Sequence, residues 1–209
     1  MKRINQYIQE KLYNQEIDEK LYHQEINEKL IVNNTIQNNY NYHPKDKNEL
    51  IKCIKEKIEK EGVGTKEKPL DLNDIDTSKI TDMSHLFDPS YYPIIGDISD
   101  SGYFDISDWN VSNVENMIEM FANSHFKGDI SKWNVRKVKY MNYMFYYSDF
   151  NGDISDWDVH NVINMRLMFS NCKKFNYNLD KWNPINVKDA SGVFLNSPLE
   201  NNPPKWYNI

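Results

Sequence analysis

Cysteine is scarce in this chain of 209 residues. Cys53 and Cys172 are the only two, they lie in different segments, and they form no metal-type spacing. They read as free, partly buried thiols, and two cysteines build no disulfide scaffold. Long apolar runs are also missing: no stretch approaches the about 18 apolar residues of a membrane span. The opening MKRINQYIQEKLYNQEIDEK is basic but has no apolar core, so it does not read as a secretory signal, and a cytoplasmic location is the default expectation. A basic excess is lacking as well. The formal charge is −6, with 13 basic and 12 acidic residues in 1–69 against 12 and 19 in 70–209. That acidity argues against a nucleic-acid partner, which calls for clustered Lys and Arg. There is no HExxH, no Gly-rich phosphate loop and no Ser-His-Asp setting, and His85, His125 and His160 share no repeat position. No catalytic, cofactor-binding or metal residues are therefore assigned, and no enzyme is expected.

What is present is repetition. DISDWNVSNVENMIEMFANSHF begins at Asp105, DISKWNVRKVKYMNYMFYYSDF at Asp129, DISDWDVHNVINMRLMFSNCKKF at Asp153 and a degenerate NLDKWNPINVKDASGVFLNSPL at Asn178. Trp109, Trp133, Trp157 and Trp182 are spaced 24, 24 and 25 residues apart. A period in the twenties marks a stacked-repeat array, because so small a unit cannot bury its own apolar face and must lie on a neighbour. The expected class is an α/β repeat solenoid with N-terminal helices.

The columns give the detail. Val114, Val138, Val162 and Val187 recur, as do Met117, Met141, Met165 and Ala190, then Met120, Met144, Met168 and Val193, beside Phe121, Phe145, Phe169 and Phe194. Spacing of i, i+3, i+6 and i+7 predicts a short helix or 3₁₀ stretch over 113–121 and its copies, facing inward. With the tryptophans, these residues are assigned to the core. The other half of the unit, FKGDISKW from Phe126 and FNGDISDW from Phe150, predicts a short parallel strand through Ile106, Ile130, Ile154 and Leu179. Gly128 and Gly152 precede it at a turn or close approach. Asp108, Lys132, Asp156 and Lys181 alternate in sign and are expected to lie side by side as a solvent-facing ladder. Asp105, Asp129, Asp153 and Asn178 read as turn caps, with a calcium site as the sharper alternative.

The runs DISDWNVSNVENMIEMF, GDISKWNVRKVKYMNYMF and GDISDWDVHNVINMRLMF resemble the repeats of the BspA-like leucine-rich-repeat surface-protein family of bacteria, over roughly residues 70–197. The resemblance implies a leucine-rich-repeat-like stack of short parallel strands and short helices with a binding role in adhesion or host interaction. It also implies a cell-surface location as the alternative to the cytoplasmic one. It carries no catalytic residues.

Domain organisation follows the composition. Residues 1–33 are a helical leader with a nine-residue repeat, in which Ile8, Ile17 and Ile26 recur with Leu12, Leu21 and Leu30. Nine residues turn a helix by about 900°, so successive copies face opposite sides and form no heptad seam. The leader reads as a marginal, solvated helix or a duplicated low-complexity segment, or alternatively as a helix that packs between partners or self-associates. Residues 34–46 are an Asn-rich linker. Residues 47–64 are an amphipathic capping helix with Leu50, Ile51, Ile54 and Ile58 on one face, an Asp46/Glu49 capping box, and Gly62 or Gly64 as the stop. It is expected to cover the open end of the first repeat, with partner binding as the alternative. Residues 65–197 are the repeat solenoid. It starts with a partial unit in which Ile80, Met83, Leu86 and Phe87 match the columns.

An insertion spans 88–104. Its GDISD at Gly96 reads as an extra copy of the strand motif, and Tyr91, Tyr92 and Tyr103 are the candidate protein contact, with structural packing an equal alternative. The tail 198–209 is a cap: Pro203 and Pro204 stop the ladder, and Trp206 and Tyr207 fold back as a lid.

The expected function is a non-enzymatic protein-interaction or adhesion-type module, with a protein or glycan partner, no cofactor, and an oligomeric state left open. The alternative is a structural or self-assembling array. A carboxylate-dependent hydrolase built on the Asp column is a remote third, since periodic carboxylates are explained by the repeat itself.

Overall fold

Successive copies of the repeat lie on one another in register. The computed structural model describes residues 40–207, and everything below belongs to the unit that begins at Asn41. The nine-residue leader and residues 34–39 of the linker lie outside the described residues. Five rungs stack: 72–88, 105–126, 129–150, 153–175 and 178–197. Single-residue parallel bridges join them through Asp82, Asn116, Tyr140, Asn164 and Asp189.

Every backbone N–H from Met117 to Ser124 is accounted for, which shows how a rung is built. Those of Met117, Glu119, Phe121 and Asn123 donate to Tyr140, Asn142, Met144 and Tyr146 of the next rung at 2.8–3.2 Å. Those of Met120, Ala122 and Ser124 close i→i+3 turns within the rung at 3.2–3.3 Å, and that of Ile118 donates to Asn116 Oδ1. The same alternation recurs over 141–148 and 165–172. Residues 113–121 and their copies are therefore linked β-turns, neither the short helix nor the 3₁₀ stretch that the spacing predicts. Turns closed at i→i+3 have a period near three, which apolar spacing does not separate from a helix's 3.6. Alternate turns, such as 117–120 and 121–124, also carry a positive φ at their third residue. The backbone supplies it at His85, Glu119, Tyr143, Leu167 and Gly192, and again at Asn123, Tyr147, Asn171 and Asn196.

The other half of the rung also departs from expectation. Among the described residues, strand pairing occurs only between β1 (Leu70–Asp71) and β2 (Phe104–Asp105). In later rungs the Asp-Ile-Ser segments form no strand, and two of their backbone groups are engaged as they are at 105–107. The Ser N–H closes an Asx turn on the preceding Asp, as for Ser131 on Asp129 Oδ1 at 2.8 Å. The Ile C=O accepts an indole N–H from the next rung. Trp109, Trp133, Trp157 and Trp182 donate Nε1–H to Leu72, Ile106, Ile130 and Ile154 at 2.9–3.1 Å. At Gly128 an added Cβ would lie 2.6 Å from the Phe126 ring, which explains the glycine before this segment.

The core is one continuous set of columns. Trp109, Trp133, Trp157 and Trp182 are 3–4 % exposed. Met117, Met120, Phe121, Met141, Met144, Phe145, Met165, Met168 and Phe169 are fully buried. Phe87, Phe121, Phe145, Phe169 and Phe194 stack with centroids 5.4–5.8 Å apart and planes within 11°. A second ring column runs through Phe126, Phe150 and Phe175. Aromatic offset stacking adds to the burial of each ring.

Helix α1 (Lys47–Glu61) packs against the first rung with Leu50, Ile51 and Ile54 buried. Asp46 caps it by accepting from Glu49 N–H, and Glu49 Oε2 takes the N–H of Lys45 at 2.9 Å. Gly62, at φ 78, ends it. Lys57, 5 % exposed, is held by Glu61 at 2.8 Å and Asp74 at 3.0 Å. Lys47 Nζ reaches Ser84 Oγ at 2.7 Å. Helix α2 (Pro93–Ser101) occupies the insertion. Its GDISD is helical, not an extra strand. Pro93 opens the helix, Ile95 and Ile98 are buried one turn apart, and Gly102 at φ 69 closes it.

The tail continues the stack by half a rung rather than ending it. Trp206, 24 residues after Trp182, donates Nε1–H to Leu179 C=O at 2.8 Å and stacks on Trp182 at 6.1 Å. Pro203 and Pro204 do not stop this, since the ladder at this position runs through the indole rather than a strand N–H. Tyr207 lies edge-on over Phe194 at 5.0 Å. The repeated Lys-Trp pair at 181–182 and 205–206 was the readable signal.

Candidate functional site

The Asp column serves the backbone. Asp105, Asp129, Asp153 and Asn178 each accept the N–H two residues on, at 2.7–3.0 Å. Bonds from Ser131 and Ser155 hold Asp129 and Asp153 below their ordinary pKa. At Asp105 burial pushes the other way and the bonds from Ser107 outweigh it. Among the described residues, none of these aspartates joins a metal-compatible cluster. The charge column yields one rung-to-rung bridge among its four residues, Lys181 to Asp156 at 2.6 Å. Cys172 takes the place that Ser124 and Ser148 hold in earlier rungs, and burial pushes its thiol up to about 12, so it is unreactive at neutral pH.

Of the three tyrosines in the insertion, two come together. Tyr91 is 57 % exposed, stacks on the His85 imidazole at 4.5 Å and 17°, and meets Tyr92 edge-on at 5.0 Å. Tyr103 follows the other end of α2, where Lys127 Nζ sits 4.5 Å above its ring. No ring contact joins it to the other two.

The αL column of His85, Glu119, Tyr143, Leu167 and Gly192 lines one face of the stack, and its third member opens a tyrosine cluster absent from the sequence expectation. Tyr143 and Tyr146 meet edge-on at 5.5 Å, and Tyr146 and Tyr147 at 4.6 Å. Tyr147 is 56 % exposed. The three hydroxyls make no hydrogen bond to any described residue. Burial, then the neighbouring Tyr147 and Tyr143, raise the pKa of Tyr146. The signal was available: Ala122 and Ser170 stand where Tyr146 does, and Asn123 and Asn171 where Tyr147 does. An aromatic pair breaking a repeat column is a departure the packing does not demand.

His85 also faces a second group. His85, Asp88 and Glu119 bring one ligand-type atom each to within 4.8 Å of one another. The sequence reading missed it because His85 and Glu119 lie 34 residues apart in a repeat otherwise spaced by 24.

A family model described as "Mycoplasma protein of unknown function, DUF285" matches residues 63–147 and 93–206. No curated protein and no solved structure gives a match. The two overlapping matches run from just after α1 to the last tryptophan of the stack, so the chain belongs to the DUF285 family.

Proposed function

We propose that this chain is a non-enzymatic binding module, of the protein-interaction or adhesion type, that takes a protein or glycan on the tyrosine face of an α/β, leucine-rich-repeat-like solenoid. The observation that carries the reading is the Tyr143, Tyr146 and Tyr147 cluster. Three rings with uncommitted hydroxyls, held by one another, form a platform of limited side-chain freedom. Tyrosine contributes large contact area at low entropy cost, and its hydroxyl adds a hydrogen bond. The repeat resemblance to BspA-like surface proteins supports the same reading. Catalysis has no support in the Asp column, whose carboxylates are engaged in turns.

The test replaces the cluster with the residues that neighbouring rungs carry there. Wild-type chain and a Tyr146→Ser/Tyr147→Asn variant are compared for retention on a panel of immobilised glycans and proteins. Retention by the wild type, lost about tenfold or more in the variant, is the expected result for a central aromatic contact. Equal retention of the variant overturns the role of this face.

A structural or self-assembling array is the second reading, and one observation favours it. In the last rung the N–H groups of Ala190, Gly192 and Phe194, equivalents of those that bond onward in every other rung, have no acceptor among the described residues. Such an edge can add a strand from another chain. Sedimentation velocity over a hundredfold concentration range separates the readings: a constant monomer leaves the binding module, and growing oligomers favour the array.

A further inference from the structure

We infer that His85, Asp88 and Glu119 form a zinc-class divalent cation site that pins the first rung and the insertion to the second rung. This is independent of the tyrosine-face reading. The three residues are exceptions to the repeat. His85 and Glu119 hold the column position occupied later by Tyr143, Leu167 and Gly192, none of them a ligand. Asp88 holds the position of Ala122, Tyr146 and Ser170. In these two columns ligand-type side chains therefore meet at one rung interface and give way to Tyr143, Tyr146 and Leu167 farther along.

The geometry suits a metal better than a hydrogen bond. His85 Nδ1 is buried and has no hydrogen-bond partner, although Glu119 Oε2 lies 3.5 Å away. Two ligands on a tetrahedral zinc, each about 2.1 Å from the ion, stand about 3.4 Å apart. The orphaned nitrogen and the carboxylate are thus already at the spacing a shared ion imposes. Asp88 is 3 % exposed, and its Oδ1 is oriented by Ser90 N–H at 3.0 Å and Ser90 Oγ–H at 2.6 Å. The stacked Tyr91 ring fixes the imidazole plane. Such supporting contacts are what a ligand set needs around it. One imidazole nitrogen with two carboxylates favours zinc and similar first-row ions over calcium or magnesium, which take oxygen alone. Three protein ligands leave a fourth position for water or a bound group.

The experiment uses the full chain, free of any affinity tag and stripped with chelator, titrated with zinc chloride in a calorimeter and melted with and without the metal. Zinc is expected to bind one per chain and to raise the melting temperature by roughly 5 °C at large excess, since the site exists only when both rungs are folded. Cobalt(II) in its place is expected to give tetrahedral d–d absorption. His85→Asn and Glu119→Gln should each abolish the stoichiometric binding and the cobalt bands. Asn suits the αL backbone at position 85, so the metal-free melt of that variant should not fall below the wild type, which separates loss of a ligand from loss of the fold. His125→Asn, outside the cluster, should bind as the wild type does. Absence of one-to-one zinc binding by the wild type, its persistence in both ligand variants, or equal binding of calcium would each overturn the assignment.

Discussion

At the scale of single residues, this protein places bulky side chains where most proteins place glycine. Glu119, Tyr143 and Leu167 all hold φ between 52° and 60°. Each costs on the order of 1–2 kcal/mol relative to a right-handed conformation, and the bonds each rung makes to the next offset that cost. Gly192 is the member of the column without the penalty. Gly192→Ala would add it, and the new Cβ would lie 2.8 Å from Leu167 Cδ2. A loss of about 1–2 kcal/mol in urea unfolding is expected. The Asx turns give a pH prediction. The pKa values of Asp129 and Asp153 are lower folded than unfolded, so their stabilisation is complete above the ordinary 3.8 and is lost as pH falls through the depressed folded values. Asn178 makes the same turn without a charge. Asp129→Asn/Asp153→Asn should therefore melt with the wild type at neutral pH and lose less stability on acidification to about pH 3. A parallel fall of both melting curves would contradict it.

At the scale of elements, the same four residues adopt two structures. Asp-Ile-Ser-Asp is helical at 97–100 in α2, yet at 105–108 and 153–156 it enters a rung through an Asx turn. Local preference is nearly balanced, and packing decides. In α2, Pro93 sets the first turn and Ile95 and Ile98 face the core. In a rung, the Ile carbonyl must meet an indole N–H from the next rung. The α2 stop is tightly placed: a Cβ on Gly102 would lie 2.0 Å from His125 O, on the segment whose N–H bonds Ser99 C=O at 2.9 Å. Gly102→Ala is expected to cost about 3 kcal/mol or more, well above Gly192→Ala, because backbone rather than a mobile side chain stands in the way. Chemical denaturation of the two variants side by side checks that order.

At the scale of the whole molecule, stability passes from rung to rung, because each unit buries its apolar face only on its neighbours. Met144 lies fully buried in the middle rung. Met144→Asp would put a charge into the continuous column at a cost of several kcal/mol, about 4 or more, and collapse the stack cooperatively. An unchanged circular-dichroism melt would refute the continuous core. Trp206→Ala acts at the end of the array and should only fray it. Hydrogen exchange is expected to accelerate at the Met165, Leu167 and Phe169 amides, which bond to the fifth rung, while those of Met117 and Phe121 keep their protection.

The sequence alone determined which residues share a column. Repetition places Trp109, Trp133, Trp157 and Trp182 in equivalent surroundings whatever the backbone does, and the burial of Val, Met and Phe follows from the need of each unit for a neighbour. The capping box at Asp46 was readable for a similar reason, since its bonds are made within a few residues. Only the tertiary structure decided the backbone path. A turn of period three and a helix carry the same apolar spacing, and the choice is made by N–H groups that find acceptors about 24 residues away. It also decided that Asp97–Asp100 is helix and Asp105–Asp108 is rung. The meeting of His85, Asp88 and Glu119 depends on how side chains of two columns are turned toward one another across a rung interface, which no local pattern in the chain records.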